Sequence, residues 1–96
     1  MRVVKSDKAN KDLLNIYVYL ANRNVETAEA IIRNLDIQFR RLAKFPFLGR
    51  ERSQFGKGMH SIVVGEHLIF YAVFDEVISV VRVIDGRMDV DVEFQR

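Results

Sequence analysis

The chain has 96 residues, of which 49% are hydrophobic and 29% charged, with a net charge of +2 and no cysteine. That length suits a single domain, expected over residues 1–96, and the lack of cysteine excludes disulfides and thiolate metal sites. No apolar run nears the roughly 18 residues that cross a membrane. Met1-Arg2-Val3-Val4-Lys5-Ser6 also lacks the apolar core of a signal peptide, so a cytoplasmic location is expected.

Val3-Val4 reads as a short first strand. Ser6 or Asp7 can cap a helix by accepting from a first-turn amide. Ala9, Leu13, Ile16, Tyr17 and Leu20 then recur at steps of three and four, or one residue apart, and form one helical stripe. Asn22-Arg23-Asn24 interrupts it, and Asn24 can cap a second helix whose stripe is Ala28, Ile32, Leu35, Phe39 and Leu42. Glu26 and Glu29 near its start and Arg40, Arg41 and Lys44 near its end suit the helix dipole. Pro46 ends it, because the residue before a proline is disfavoured in helix. So short a connection makes an antiparallel helical hairpin.

Phe47 to Lys57 reads as a loop, after which the period changes. Met59 to Val64 alternates loosely, and Gly65-Glu66-His67 marks a turn. Leu68 to Phe74 is a continuous apolar run, the pattern of a strand covered on both faces. Asp75-Glu76 implies a tight hairpin leading into Val77 to Ile84, which Asp85-Gly86 closes. The expected fold is a two-layer α+β arrangement, β-α-α-β-β-β, with the helical hairpin packed on an antiparallel sheet. The partner of the first strand cannot be read from sequence.

Charge is unevenly distributed. From Arg40 to Lys57 there are six basic residues and one acid, Glu51, whereas Asp85 to Arg96 holds four acids and two bases. The plainer reading is two solvated surfaces; taken together, the basic stretch points to an anionic partner. Arg82 interrupts an otherwise apolar strand, and an unpaired buried guanidinium is very costly. It therefore reaches solvent at a basic rim with Arg50 and Arg52, or forms an ion pair with a carboxylate such as Asp85 or Glu93. Val18, Ile31 and Ile37 lie off the two stripes. They either cover the sheet or a dimer contact, or form a groove for a partner helix. No glycine-rich phosphate loop, metal-ligand cluster or serine triad context is evident, and no cofactor or metal is expected.

Four segments in this order resemble the ParE/RelE superfamily of bacterial toxins: Ala9-x-x-Asp12-Leu13-x-x-Ile16-x-x-Tyr19-Leu20, Leu42-x-x-Phe45-Pro46-x-x-Gly49-Arg50, Val64-Gly65-x-x-x-Ile69-Phe70-Tyr71 and Val81-Arg82-Val83-Ile84-x-Gly86-Arg87. The resemblance covers nearly the whole chain. It implies the toxin of a type II toxin–antitoxin pair, silenced by a cognate antitoxin in a hetero-oligomer. ParE-like members inhibit DNA gyrase by binding it, with an antitoxin of ParD type that starts with a ribbon-helix-helix. RelE-like members cut messenger RNA on the ribosome.

Cleavage of that kind needs a proton acceptor, a proton donor and cations for the phosphorane. The candidates are Arg50, Arg52, His60 and Arg82. His60 and His67 flank a turn, where a histidine is more often an ordinary surface residue. The chain departs from the nuclease pattern in having His60 where Arg is common, Asp85 where His is common and Met88 where another Arg is common. A carboxylate at Asp85 would repel a scissile phosphate. The expectation is therefore a ParE-like gyrase inhibitor with no catalytic residues, in which Arg50, Arg52, His60, Arg82, Arg87, Val18, Ile31 and Ile37 serve partner binding. The alternatives are a RelE-like nuclease and a non-toxic binding remnant of the same fold.

Overall fold

A computed structural model describes residues 1–95. Arg96, counted above among the charges of the tail, lies outside the described residues. The elements are β1 (Arg2–Lys5), α1 (Asp7–Ala21), α2 (Val25–Lys44), β2 (Arg50–Glu51), β3 (Met59–Val64), β4 (His67–Phe74), β5 (Val77–Asp85) and α3 (Val90–Phe94), with a single 3₁₀ turn at Ser53–Phe55. The two-layer α+β arrangement is present: α1 and α2 lie as a hairpin on one face of a five-stranded sheet ordered β1-β5-β4-β3-β2.

The helix starts follow the capping logic. Ser6 accepts from the Ala9 amide, and Asn24 accepts from the Thr27 amide, each at 3.0 Å. α2 stops one residue before Phe45-Pro46. The central strands form the expected meander: β3 and β4 are antiparallel, as are β4 and β5. Asp75 and Glu76, the only residues between β4 and β5, both have positive φ, as a type I′ hairpin turn demands.

Three features go beyond the sequence expectation. β1 joins β5 in parallel, with Arg2 opposite Val77 and Lys5 opposite Val80, so the sheet is antiparallel except along that edge. β2 pairs antiparallel with β3 inside the segment read as a loop. α3 follows β5, capped by Asp89, whose carboxylate accepts from the Asp91 amide at 3.0 Å.

The sheet separates two apolar clusters. On the helical side, Ala9, Leu35, Phe39 and Leu42 pack on Val64, Ile69, Tyr71, Ile78, Val80 and Val83. The opposite side gathers Met59, Phe70 and Ile84 under Phe55, Val90 and Phe94. Phe94 stacks on Phe55 with ring centroids 4.8 Å apart and meets Phe70 edge-on at 4.9 Å. β4 is thus covered on both faces, which accounts for its unbroken apolar run.

Candidate functional site

β4 and β5 pair Tyr71 with Val80 and Phe70 with Arg82, so Val81 is the extra residue of a β-bulge. β1 ends opposite Val80, leaving the outer edge of β5 without a strand beyond that point. Two side chains and one amide from the first segment close it. The Ser6 amide donates to the Val80 carbonyl at 2.9 Å, and the Ser6 hydroxyl donates to the Val81 carbonyl at 2.8 Å. The Val83 amide donates to the Asp12 carboxylate at 2.9 Å.

The same Asp12 carboxylate holds Arg82. Nε and Nη2 of Arg82 donate to its two oxygens at 2.8 and 2.9 Å. Nη1 donates to the Glu93 carbonyl at 2.7 Å, and the Glu93 carboxylate lies 3.8 Å from Nη2. The Arg82 and Asp12 side chains are 11% and 14% exposed, so this two-pronged pair sits largely out of water. The hydrogen bond to Asp12 raises the Arg82 pKa above its ordinary value. Of the two carboxylates considered from sequence, Glu93 contributes and Asp85 does not. Asp85 instead binds Arg87, with Oδ2 at 2.7 Å from Nη2 and Oδ1 at 3.0 Å from Nε. Those hydrogen bonds lower the Asp85 pKa to about 2.

Above the Arg82–Asp12 pair lies a groove of about 760 Å³ between α1 and the segment that leaves β5. Its apolar centre comes from Ile16, Leu20, Ile31 and Ile84. Its rim is mixed, with Lys8, Lys11, His67 and Arg87 among Glu66 and Asp85. Ile31 is half-buried here and also packs on the helical-side core. Val18 and Ile37 are exposed on the helices and do not line the groove.

The remaining basic candidates lie elsewhere. Cross-strand pairing aligns Arg50, Ser61, Phe70 and Arg82 in one row across the sheet. Arg52 joins that row from the far face: its guanidinium lies 5.2 Å from the centres of the Phe55 and Phe70 rings and reaches the Ser61 hydroxyl at 3.3 Å. The Arg52 Nε is buried without a hydrogen-bond partner. His60 is on the other face. It is buried, stacks on Tyr71 at 5.5 Å, meets Phe47 at 5.6 Å and places Nδ1 2.9 Å from the Gly58 carbonyl oxygen. The surface histidine expected beside a turn is therefore an interior ring, because Phe47 folds over it and Tyr71 of the neighbouring strand stacks on it.

A family model described as the ParE toxin of the type II toxin–antitoxin system parDE matches residues 3–90. The chain belongs to the ParE toxin family. It is 30% identical over 89 residues to toxin ParE3 of Caulobacter vibrioides, spanning 92% of this chain and 89% of that one. It is 40% identical over 68 residues to toxin ParE1 of Mycobacterium tuberculosis, spanning 70% and 69%. A solved structure described as the chromosomal ParDE system from P. aeruginosa shares the fold with a TM-score of 0.74 at 20% identity, covering 88% of this chain and 95% of that one.

Within this ParE-family fold, sequence reasoning passed over Asp12 and Tyr71. Asp12 and Tyr71 stand in the segments that carry the family resemblance, but nothing in the sequence assigns either of them a partner. Tyr71 is fully buried, which raises its pKa, and its hydroxyl oxygen accepts from the Gly49 amide at 2.8 Å. A single phenol thus ties the loop after α2 to the centre of the sheet. Among the described residues, no helix is long and apolar enough to cross a membrane.

Proposed function

We propose that this chain is a cytoplasmic toxin that inhibits DNA gyrase by binding it, and that a ParD-like antitoxin with a ribbon-helix-helix start neutralises it in a hetero-oligomer. The observation that carries the binding reading is the engagement of Arg82. Three of its donor nitrogens are taken by Asp12 and Glu93, so the cation most central to a nuclease reading is turned inward. His60 is stacked in the interior, on the opposite face from Arg52. Moving a proton and holding a phosphorane require these groups around one point, and here they are divided between two faces and an edge. Family membership supports the toxin assignment, and the groove beside α1, about 760 Å³ with apolar residues in its lining, offers a seat for an antitoxin segment.

The test is plasmid supercoiling by purified gyrase with increasing toxin. Inhibition that is relieved by co-expressed antitoxin is the expected result. Normal supercoiling at saturating toxin would falsify the gyrase reading. Primer extension on translated messages after induction addresses the nuclease alternative, and codon-phased cuts that vanish in Arg82→Ala would establish it instead.

A further inference from the structure

Between α2 and β2 the chain turns through Phe45-Pro46-Phe47-Leu48. Phe45, Phe47 and Leu48 are 58%, 68% and 44% exposed. Three large apolar side chains within four residues make an apolar tip, and patches of that kind mark interaction sites.

The tip is held rigidly. The Leu48 amide donates to the Phe45 carbonyl at 3.1 Å and closes the turn. The Gly49 amide is bound to the buried Tyr71 hydroxyl, and a Cβ at Gly49 would lie 2.5 Å from the Ser61 carbonyl oxygen. Only glycine allows the loop this close to the sheet. Phe47 rests edge-on against His60, which in turn stacks on Tyr71. A tip anchored in this way loses little conformational freedom on binding, which is the condition for strong aromatic anchors.

The charge around the tip has one sign. Arg41 lies one helical turn before Phe45, Lys44 adjoins it and Arg50 follows Leu48 by two residues; all three are exposed. None of them forms a salt bridge among the described residues, whereas Arg40 is paired with Asp36. No acid occurs between Asp36 and Glu51. An apolar centre with an unpaired basic collar is complementary to an apolar pocket ringed by carboxylates.

We propose that the Phe45–Leu48 tip docks the toxin onto its protein target, through an apolar pocket in an acidic surface. This rests on the reading that the target is bound rather than cut. The tip shares no residue with the groove beside α1, so target docking and antitoxin binding are separable by substitution.

Two variants test it: Phe45→Ser/Phe47→Ser, and Arg41→Glu/Lys44→Glu, whose side chains are solvent-exposed and whose unfavourable charge at the end of α2 is checked by the thermal midpoint of the purified variant. Each is purified with and without antitoxin and titrated into the gyrase assay at two salt concentrations. The aromatic variant is expected to raise the half-inhibitory toxin concentration by roughly thirtyfold or more, the effect of losing central anchors. The charge variant is expected to lose inhibition and its salt dependence while the antitoxin complex persists in both. Wild-type inhibition by both variants overturns the proposal. So does loss of the antitoxin complex with inhibition intact, a fall in the oligomeric state of the free toxin relative to wild type, or loss of duplex DNA retention on a filter, since these assign the tip to antitoxin, a second copy or nucleic acid. If the wild-type toxin leaves gyrase untouched, the gyrase reading fails separately. The same variants are then scored by growth arrest, where unchanged arrest overturns the tip and abolished arrest supports it.

Discussion

The two faces of the sheet are built differently. One lies under helices of 15 and 20 residues whose apolar stripes are continuous. The other is covered by a three-residue turn and a five-residue helix, which contribute Phe55, Val90 and Phe94. A helix of five residues is too short to be stable alone, so α3 depends on what it touches. The polar link between it and the opposite layer is Arg82, which grips Asp12 of α1 with one side of its guanidinium and Glu93 of α3 with the other. The comparison teaches that one layer is fixed by periodic burial, while the other is held by a small aromatic cluster of Phe55, Phe70 and Phe94 and one ion network.

The strongest way to break that contrast is a pair of truncations. Leu42→Ala empties a fully buried site between α2 and the sheet and should destabilise the fold by about 3 kcal/mol, within the usual range for buried leucines. Phe94→Ala removes the larger side chain, yet should cost only about 1–2 kcal/mol because its site can collapse or be rewetted. Urea denaturation gives both values. A Phe94→Ala effect equal to or larger than that of Leu42→Ala would show that the far side is a second full core. Hydrogen exchange sharpens the same point: α3 amides should exchange by local opening, α2 amides only with global unfolding.

The second test is aimed at the link. Asp12→Ala leaves Arg82 largely buried without its carboxylate and the Val83 amide without its acceptor, for an expected loss of about 3 kcal/mol. Adding Arg82→Met should recover part of that loss, because a largely buried cation left with only the 3.8 Å carboxylate contact and the carbonyl of Glu93 is worse than an apolar side chain of similar size. If the double variant is no more stable than Asp12→Ala, Arg82 is stabilised by something other than this pair.

The same contrast explains what sequence could reveal. Both helical stripes, both N-caps, the stop before Pro46 and the Asp75-Glu76 turn follow from residues a few positions apart, and each has a local physical signature. The parallel seat of β1 on β5 joins the two ends of the chain, and nothing near Val3-Val4 encodes it. Asp12 and Arg82 are 70 residues apart, so the charge in β5 announced a need for a carboxylate without naming which. α3 was hidden because Asp89 to Phe94 alternates acid and apolar residues and is too short to show a helical period. In the site itself, Arg50, Arg52 and Arg82 do share one face or its edge, but His60 is an interior ring between Phe47 and Tyr71, contacts that residues close to it in sequence do not reveal.

The smallest expected effect lies where the chain leaves β5 for the far side. There the Asp85 carboxylate holds the side chain and amide of Arg87, and the Met88 amide donates to the Asp85 carbonyl at 3.0 Å. Asp85 titrates at about 2 in the folded chain, below its ordinary carboxylate value, chiefly because of the Arg87 side-chain hydrogen bond. A lowered folded pKa means the ionised form favours folding. The contribution is complete above the unfolded pKa of about 4 and is lost as pH falls through about 2. Asp85→Asn should therefore lower stability by a constant amount at pH 7 and pH 5, less at pH 3, and least as pH falls through about 2. Because Arg87 is well exposed, solvent screens the pair and the loss should be a small fraction of the Asp12→Ala effect. It should also appear first in α3 exchange rather than in global unfolding, since the turn aims the chain toward that helix. An Asp85→Asn loss that persists unchanged at pH 2 would mean the side chain acts through shape and not through its charge.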